Sequence, residues 1–279
     1  MRYGVTMFAT DVAMPADELA VEAEARGFDS LYLPEHTHIP VSRRTPPPTG
    51  DAELAEEYRR TVDPLVVLAA AAARTTTIRL GTGVLLPAQR EPIVTAKAIA
   101  TLQNLSAGRF CLGVGFGWNE DEMEDHGVVY RTRRAQSREH VLAMQSLWTD
   151  EVGSFTGDFV NVSPSWSWPK PDTPVPVLVG GGAGPKLFAH IAEYGNGWIP
   201  IGGAGLTEDI GRFKAVVAEA GRDPEAMEIV PFGTLPSPEK LDHFERIGVT
   251  ECVFRIPSAP RDVVLPILDR QAELVAARR

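Results

Sequence analysis

At three places a helical pattern stops on a glycine and an apolar run opens within three residues: Gly27 before SLYLP, Gly195 before GWIPI and Gly248 before ECVFRI. A helix stop of this kind needs a left-handed backbone, which glycine adopts without steric cost. The joint is therefore a helix-to-strand turn repeated along one chain, and the intervals between the joints carry the same alternation. Strand patterns at 3–8, 30–34, 77–86, 109–115, 175–181, 197–201, 227–233 and 251–256 are each followed by a helical pattern. Asp63-Pro64 supplies an N-cap and a first-turn proline to one of those helices, and the closing helix is expected to bend or split near Pro266. Eight such units without a domain break predict an α/β fold, a (β/α)8 TIM barrel in a single domain over 1–279. A doubly wound sheet is the alternative, but it opens with a glycine-rich turn after the first strand, and YGVTMFATD has none. One stretch interrupts the alternation at about 153–175: SFTGDFVNV reads as a hairpin turning on Gly157-Asp158, followed by the Pro/Trp-rich SPSWSWPKPDTPVP.

The chain's 279 residues suit one barrel of about 250 residues. A net charge of −10 argues against a nucleic-acid surface, which needs an excess of Lys and Arg. No run approaches the roughly 18 apolar residues of a membrane span, and MRYGVTMFATD lacks the pattern of a secretion signal. The two cysteines, Cys111 and Cys252, each sit inside an apolar run. A reducing, cytoplasmic setting without a disulfide framework is the expectation.

In a barrel of this type the chemistry gathers at the C-terminal ends of the strands. Those ends present Phe8, then Glu35-His36, then Gly83-Val84, then the run Gly115-Phe116-Gly117-Trp118-Asn119. They continue with Gly180-Gly181-Gly182, Ile201-Gly202-Gly203, Phe232-Gly233 and Arg255-Ile256-Pro257. The Glu35-His36-Thr37-His38 segment invites a metal reading, but a metal-dependent barrel hydrolase needs further ligands from other strand ends, and none of the other histidines lies at one. No metal is expected. VLVGGGAGPK runs from strand through glycines to a helix start, where backbone N–H groups attract anions, so Gly180, Gly181 and Gly182 read as a phosphate site; a tight turn that binds nothing is the alternative. GVGFGWNEDE and LGTGV leave room for a flat ligand that Asn119 can hydrogen-bond, with plain packing at the barrel rim as the other reading. Together these segments describe a glycine-rich mouth suited to a planar cofactor with a phosphate tail. Arg131, Arg133 and Arg134 read as a solvated helix start, with contact to an acidic tail as the other possibility.

GFDSLYLPEH, RTTTIRLGTGVLLPAQREPIVTAKAIATLQNLSAGRFCLGVGFGWNEDE and VPVLVGGG…HIAEYGNGW resemble the bacterial luciferase-like superfamily, and within it the deazaflavin branch that uses coenzyme F420. The resemblance covers most of residues 1–203. It implies a TIM barrel holding a reduced flavin or deazaflavin at the mouth, with a non-prolyl cis peptide at Gly83–Val84 behind the ring. It places Glu35 and His36 beside the ring, His36 as proton partner, and maps the family's Gly-x-Gly…Asn to Gly115, Gly117 and Asn119. Phe8 and Gly202 complete the expected cofactor set. The spacing to the Asn is shorter here than in the sugar-phosphate dehydrogenases of that branch, and their neighbouring acid is missing. The implied activity is hydride transfer between F420 and a small organic substrate. An FMN-dependent monooxygenase and a non-catalytic flavin-binding barrel are the alternatives. A homodimer is expected by analogy, with Trp166 and Trp168 as a dimer contact, a substrate wall or plain packing.

Overall fold

The computed structural model describes residues 1–46, 53–201 and 205–279. Eight parallel strands form one sheet: β1 (Arg2–Thr6), β2 (Ser30–Leu33), β3 (Arg79–Thr82), β4 (Phe110–Val114), β7 (Val177–Gly180), β8 (Gly197–Ile199), β9 (Glu228–Ile229) and β10 (Glu251–Arg255). β10 pairs with β1. The circle closes where Thr250 N–H donates to Ile229 O, Val253 N–H to Pro231 O and Thr234 N–H to Val253 O. The fold is the TIM barrel that the alternation predicts. β9 is shorter than its apolar run suggests, because Pro231 lacks an N–H and only the isolated bridges Ile201–Phe232 and Thr234–Phe254 continue the pairing.

The outer helices are α1 (Ala16–Ala25), α2 (Pro64–Arg74), α3 (Pro92–Leu105), α4 (Glu120–Asp125), α5 (Arg133–Thr149), α6 (Pro185–Tyr194), α7 (Leu206–Glu219), α8 (Pro238–Arg246) and α9 (Arg261–Ala276). Asp63 caps α2 as expected, accepting from the N–H of Leu65 and Val66. Glu91 and Ser237 cap α3 and α8, each with proline at the first position. α9 runs through Pro266 without a break. None of the described helices is long and apolar enough to cross a membrane.

The insertion forms the antiparallel pair β5 (Gly153–Thr156) and β6 (Asn161–Ser165), joined by a four-residue loop and not by the two-residue turn expected at Gly157-Asp158. Glu139 on α5 sets that loop, accepting from the N–H groups of Asp158, Phe159 and Val160 at 2.7–3.0 Å.

The barrel interior is layered. At its N-terminal end Arg79 donates to Glu228 at 2.6 and 2.9 Å and to Glu251 at 3.4 Å, and Arg2 reaches the same two carboxylates. Glu251 is fully buried, so this cluster is a charged plug closing the barrel's floor. Above it pack Tyr32, Cys111, Leu178, Ile199, Val230, Phe232 and Val253. Burial pushes the Cys111 and Cys252 thiols up to about 12, which keeps both protonated and unreactive. Val84 caps the apolar layer and forms the floor of the mouth.

Candidate functional site

A cavity of about 340 Å³ opens at the C-terminal mouth, within the size range of small-molecule sites. The strand ends deliver Phe8, Glu35, His36, Gly83, Val84, Gly115, Gly117, Gly180 and Gly181 to its walls, so these expected residues do meet around one basin. Gly202 lies outside the described residues. The Gly83–Val84 peptide is cis, as the resemblance implies.

The glycines are there for a different reason from the one their sequence suggests. A Cβ on Gly115 would fall 2.4 Å from Val84 Cγ2, and one on Gly180 would fall 3.0 Å from Val84 Cγ1. Both positions make room for the Val84 side chain, which rises between them. Gly117 has φ +70°, and a Cβ there would meet Met123 Cε at 2.1 Å. The glycines therefore shape the floor, and the ligand meets Val84.

His36 reaches the cavity from the end of β2. Its Nδ1 lies 2.8 Å from Oε2 of Glu122 on α4, and both side chains are nearly buried, at 8% and 1% exposure. A carboxylate only accepts, so Nδ1 carries the proton and Nε2, which has no partner among the described residues, is left for a ligand. Glu122 Oε1 has no partner either, so this carboxylate serves His36 alone. The imidazole stands 5.3 Å from the Tyr58 ring and 5.9 Å from the Trp118 ring, centroid to centroid, in an aromatic wall completed by Phe8. The rest of the histidine segment is fastened to the same helix region: His38 Nε2 lies 3.0 Å from Asp125 and Thr37 Oγ1 lies 2.6 Å from His126 Nε2. Burial, then the nearby His38, holds the His126 imidazole below its ordinary pKa. Among the described residues no group of three or more His, Cys, Asp or Glu is arranged to hold a metal.

Three expected contacts are corrected. Glu35 borders the cavity, but its carboxylate is committed: Leu86 N–H donates to Oε2 at 2.6 Å and Arg90 Nε donates to Oε1 at 2.5 Å. Arg90 in turn holds Asp63, the α2 cap, at 2.6 Å. Glu35 is thus placed to fix the turn after Val84, with each of its oxygens already accepting a hydrogen bond. Asn119 is 1% exposed and is not part of the cavity lining, with neither amide atom hydrogen-bonded among the described residues. It occupies the cap position of α4 without making a side-chain cap hydrogen bond. The backbone of Gly181 is spent inside the barrel, its N–H on Ile199 O at 3.1 Å and its C=O accepting from the Trp198 indole at 2.9 Å. Gly182 is exposed and outside the cavity lining, which leaves it free at the approach to α6.

Three contributors fall outside the expected set of site residues. Tyr58 comes from a short 3-10 turn, Glu56–Arg60, within the long connection between β2 and α2. Arg133 and Arg134 open α5 at the cavity wall and are not the solvated start that their spacing suggests. Arg133 donates to Tyr130 O at 2.9 Å and lies over the Tyr130 ring, while Arg134 lies over the Phe116 ring. Neither has a carboxylate partner among the described residues, so the pair is a positive rim on a protein of net negative charge. Arg131 borders a separate groove.

The cavity offers an aliphatic floor, an aromatic wall, one imidazole nitrogen and a cationic edge. The luciferase-like monooxygenase family profile matches residues 6–240. An uncharacterized protein of Mycobacterium tuberculosis is 44% identical over 280 aligned positions, covering 99% of both chains. An F420-dependent glucose-6-phosphate dehydrogenase of Kineococcus radiotolerans is 34% identical over 197 positions, 68% of this chain and 52% of that enzyme, so the chain spans about half the dehydrogenase's length. A solved F420-dependent secondary alcohol dehydrogenase, in complex with an F420-acetone adduct, superposes with a TM-score of 0.80 at 22% identity, covering 100% of this chain and 99% of that one. The monooxygenase RslO1 of Streptomyces bottropensis superposes with a TM-score of 0.78 at 21% identity and the same coverage. At those identities the two structures establish the shared fold alone. From the profile match and the sequence relatives, the chain belongs to the luciferase-like monooxygenase family, with F420-dependent dehydrogenases among its relatives.

Proposed function

We propose that this protein is an F420-dependent oxidoreductase that moves a hydride between a deazaflavin and a small organic substrate. The observation that carries the reading is the meeting of His36, Val84 and the Tyr58–Trp118 wall around one cavity whose rim holds two guanidiniums without carboxylate partners among the described residues. Such a rim suits an acidic cofactor tail, and the sequence relatives that use F420 support the choice of cofactor.

When bound, the deazaflavin supplies a two-electron hydride carrier. Everything else falls to the chain. Val84 would support the ring from the cavity floor, in the room that Gly115 and Gly180 leave for its methyls. Phe8, Tyr58 and Trp118 exclude water from the reacting side. His36 exchanges a proton at Nε2, with Glu122 fixing the ring's tautomer and direction. Glu35 acts at one remove, by holding the Leu86 amide and Arg90. The free amides near Gly182 and the start of α6 are left to the phosphate.

With FMN the same cavity would serve oxygen chemistry. The two readings separate in an anaerobic assay. Reoxidation of the reduced deazaflavin by a carbonyl substrate without oxygen supports hydride transfer, whereas reoxidation that needs oxygen, and proceeds with FMN, removes it.

A further inference from the structure

A second chamber of about 340 Å³ lies beside the first and shares Phe8, Pro34, Tyr58, Gly83 and Ile201 with it. Its own walls are Thr6, Met7, Ala55, Phe232, Gly233 and Ile256, with Glu57 and Arg255 as its charged groups among the described residues. Those two face each other, Arg255 Nη2 lying 3.4 Å from Glu57 Oε1, so the chamber's cation is already matched by its carboxylate. Ile201, 85% exposed, forms an apolar lip. The Tyr58 phenol, on the partition between the chambers, has no hydrogen-bond partner among the described residues. Burial and then the adjacent Glu57 push it above its ordinary pKa, so it is a neutral donor.

On the deazaflavin reading above, we infer that this chamber takes the substrate, and that the substrate is an uncharged ketone, or the matching secondary alcohol, with an apolar body. Apolar walls favour such a body by about 25 cal/mol for each Å² removed from water. A sugar phosphate is disfavoured on two grounds: most of its hydroxyls would face aliphatic and aromatic carbon, with Thr6 and the Tyr58 phenol as the uncharged polar side chains, and its dianion would meet one arginine already paired with Glu57. The inference therefore departs from the glucose-6-phosphate dehydrogenases among the relatives. In the oxidising direction the alcohol carbon would give its hydride to the deazaflavin as the C=O π bond forms, and the hydroxyl proton would pass to the free Nε2 of His36, making it an imidazolium. Reduction is the reverse: the imidazolium would return that proton to the oxygen as the carbonyl carbon takes the hydride, so one hydride and one proton account for the two electrons and two hydrogens gained by the alcohol.

Ligand-observed NMR on the protein, with and without F420, tests this using 4-phenyl-2-butanone, levulinate and glucose 6-phosphate as probes; F420 affinity is read separately from its fluorescence. The ketone is expected to bind at least 10-fold more tightly than either anion. Ala55→Trp, an exposed position, is expected to weaken the ketone at least 10-fold by filling the chamber while F420 affinity stays within twofold. Glu57→Gln frees Arg255 and is expected to tighten levulinate at least 10-fold. Glucose 6-phosphate binding as tightly as the ketone, or a ketone indifferent to Ala55→Trp, overturns the inference. Ketone binding that is weakened by Ala55→Trp, with levulinate tightened by Glu57→Gln, in a protein that does not bind F420 upholds the substrate class and removes the cofactor reading instead.

Discussion

His36 Nδ1 and Glu122 Oε2 stand 2.8 Å apart across 86 residues of sequence, tying the end of β2 to helix α4. That contact decides which imidazole nitrogen faces the cavity. His36→Ala is expected to lower kcat by about 10²–10⁴ through loss of proton transfer, with little change in cofactor affinity. Glu122→Ala is expected to convert His36 from the Nδ1–H to the Nε2–H tautomer in ¹⁵N NMR, whereas Glu122→Gln, whose amide oxygen still accepts, keeps it. An Nε2–H tautomer in the unaltered protein would contradict the assigned roles.

Gly115 and Val84 form a size-matched pair, because any Cβ at 115 enters the valine's methyl. Gly115→Ala is expected to destabilise the protein by about 1–3 kcal/mol through overpacking. Val84→Ala in that background is expected to recover part of the loss. Denaturant unfolding of the two single variants and the double variant gives the coupling, and strict additivity would dismiss the contact.

Arg79 neutralises the buried Glu251 and the partly buried Glu228 at the barrel floor. Burial alone pushes the Glu228 carboxyl up, but the Arg79 and Arg2 guanidiniums more than reverse this and leave it below its ordinary pKa. Arg79→Met is expected to cost about 3–5 kcal/mol, as for other broken buried ion pairs, with F420 affinity unchanged. A loss under about 1 kcal/mol would show that the plug is dispensable.

Glu24 on α1 accepts from the N–H groups of Thr76, Thr77 and Ile78 ahead of β3. Burial works to raise its carboxyl, but these three backbone donors and the Thr77 hydroxyl outweigh it and bring the pKa from 4.5 down to about 2. The folded-state value lies below the unfolded one, so the stabilisation is fully present above about pH 4.5 and is lost as pH falls toward 2. Glu24→Gln is expected to lower Tm at pH 6, with the gap to the unaltered protein closing between pH 4.5 and 2. A gap independent of pH would contradict the assignment.

The barrel was legible because its signal is local and repeated: glycine stops after helices and apolar runs after glycines. Placement of the site was legible too, since the fold itself brings strand ends together. The individual contacts were not. Glu122 sits in an acidic stretch with nothing in the sequence to single it out, and its partner is fixed only by how α4 docks. Tyr58 lies in a connection without periodicity. Asn119 and Gly181 carry the right residue types at the right strand ends, yet one side chain is buried at a helix cap outside the cavity lining and the other's backbone is consumed by the neighbouring strand. Glycine beside a cavity is ambiguous in sequence, because room for a ligand and room for Val84 leave the same mark.

Equilibrium titration of the purified protein with F420 and, separately, with FMN, followed by fluorescence at two salt concentrations, tests the central claim most directly. The account predicts stoichiometric F420 binding at least 10-fold tighter than FMN, weakened by Arg134→Ala and by added salt because the cationic rim meets an acidic tail. Tighter binding of FMN, or F420 binding untouched by Arg134→Ala and salt, would contradict it.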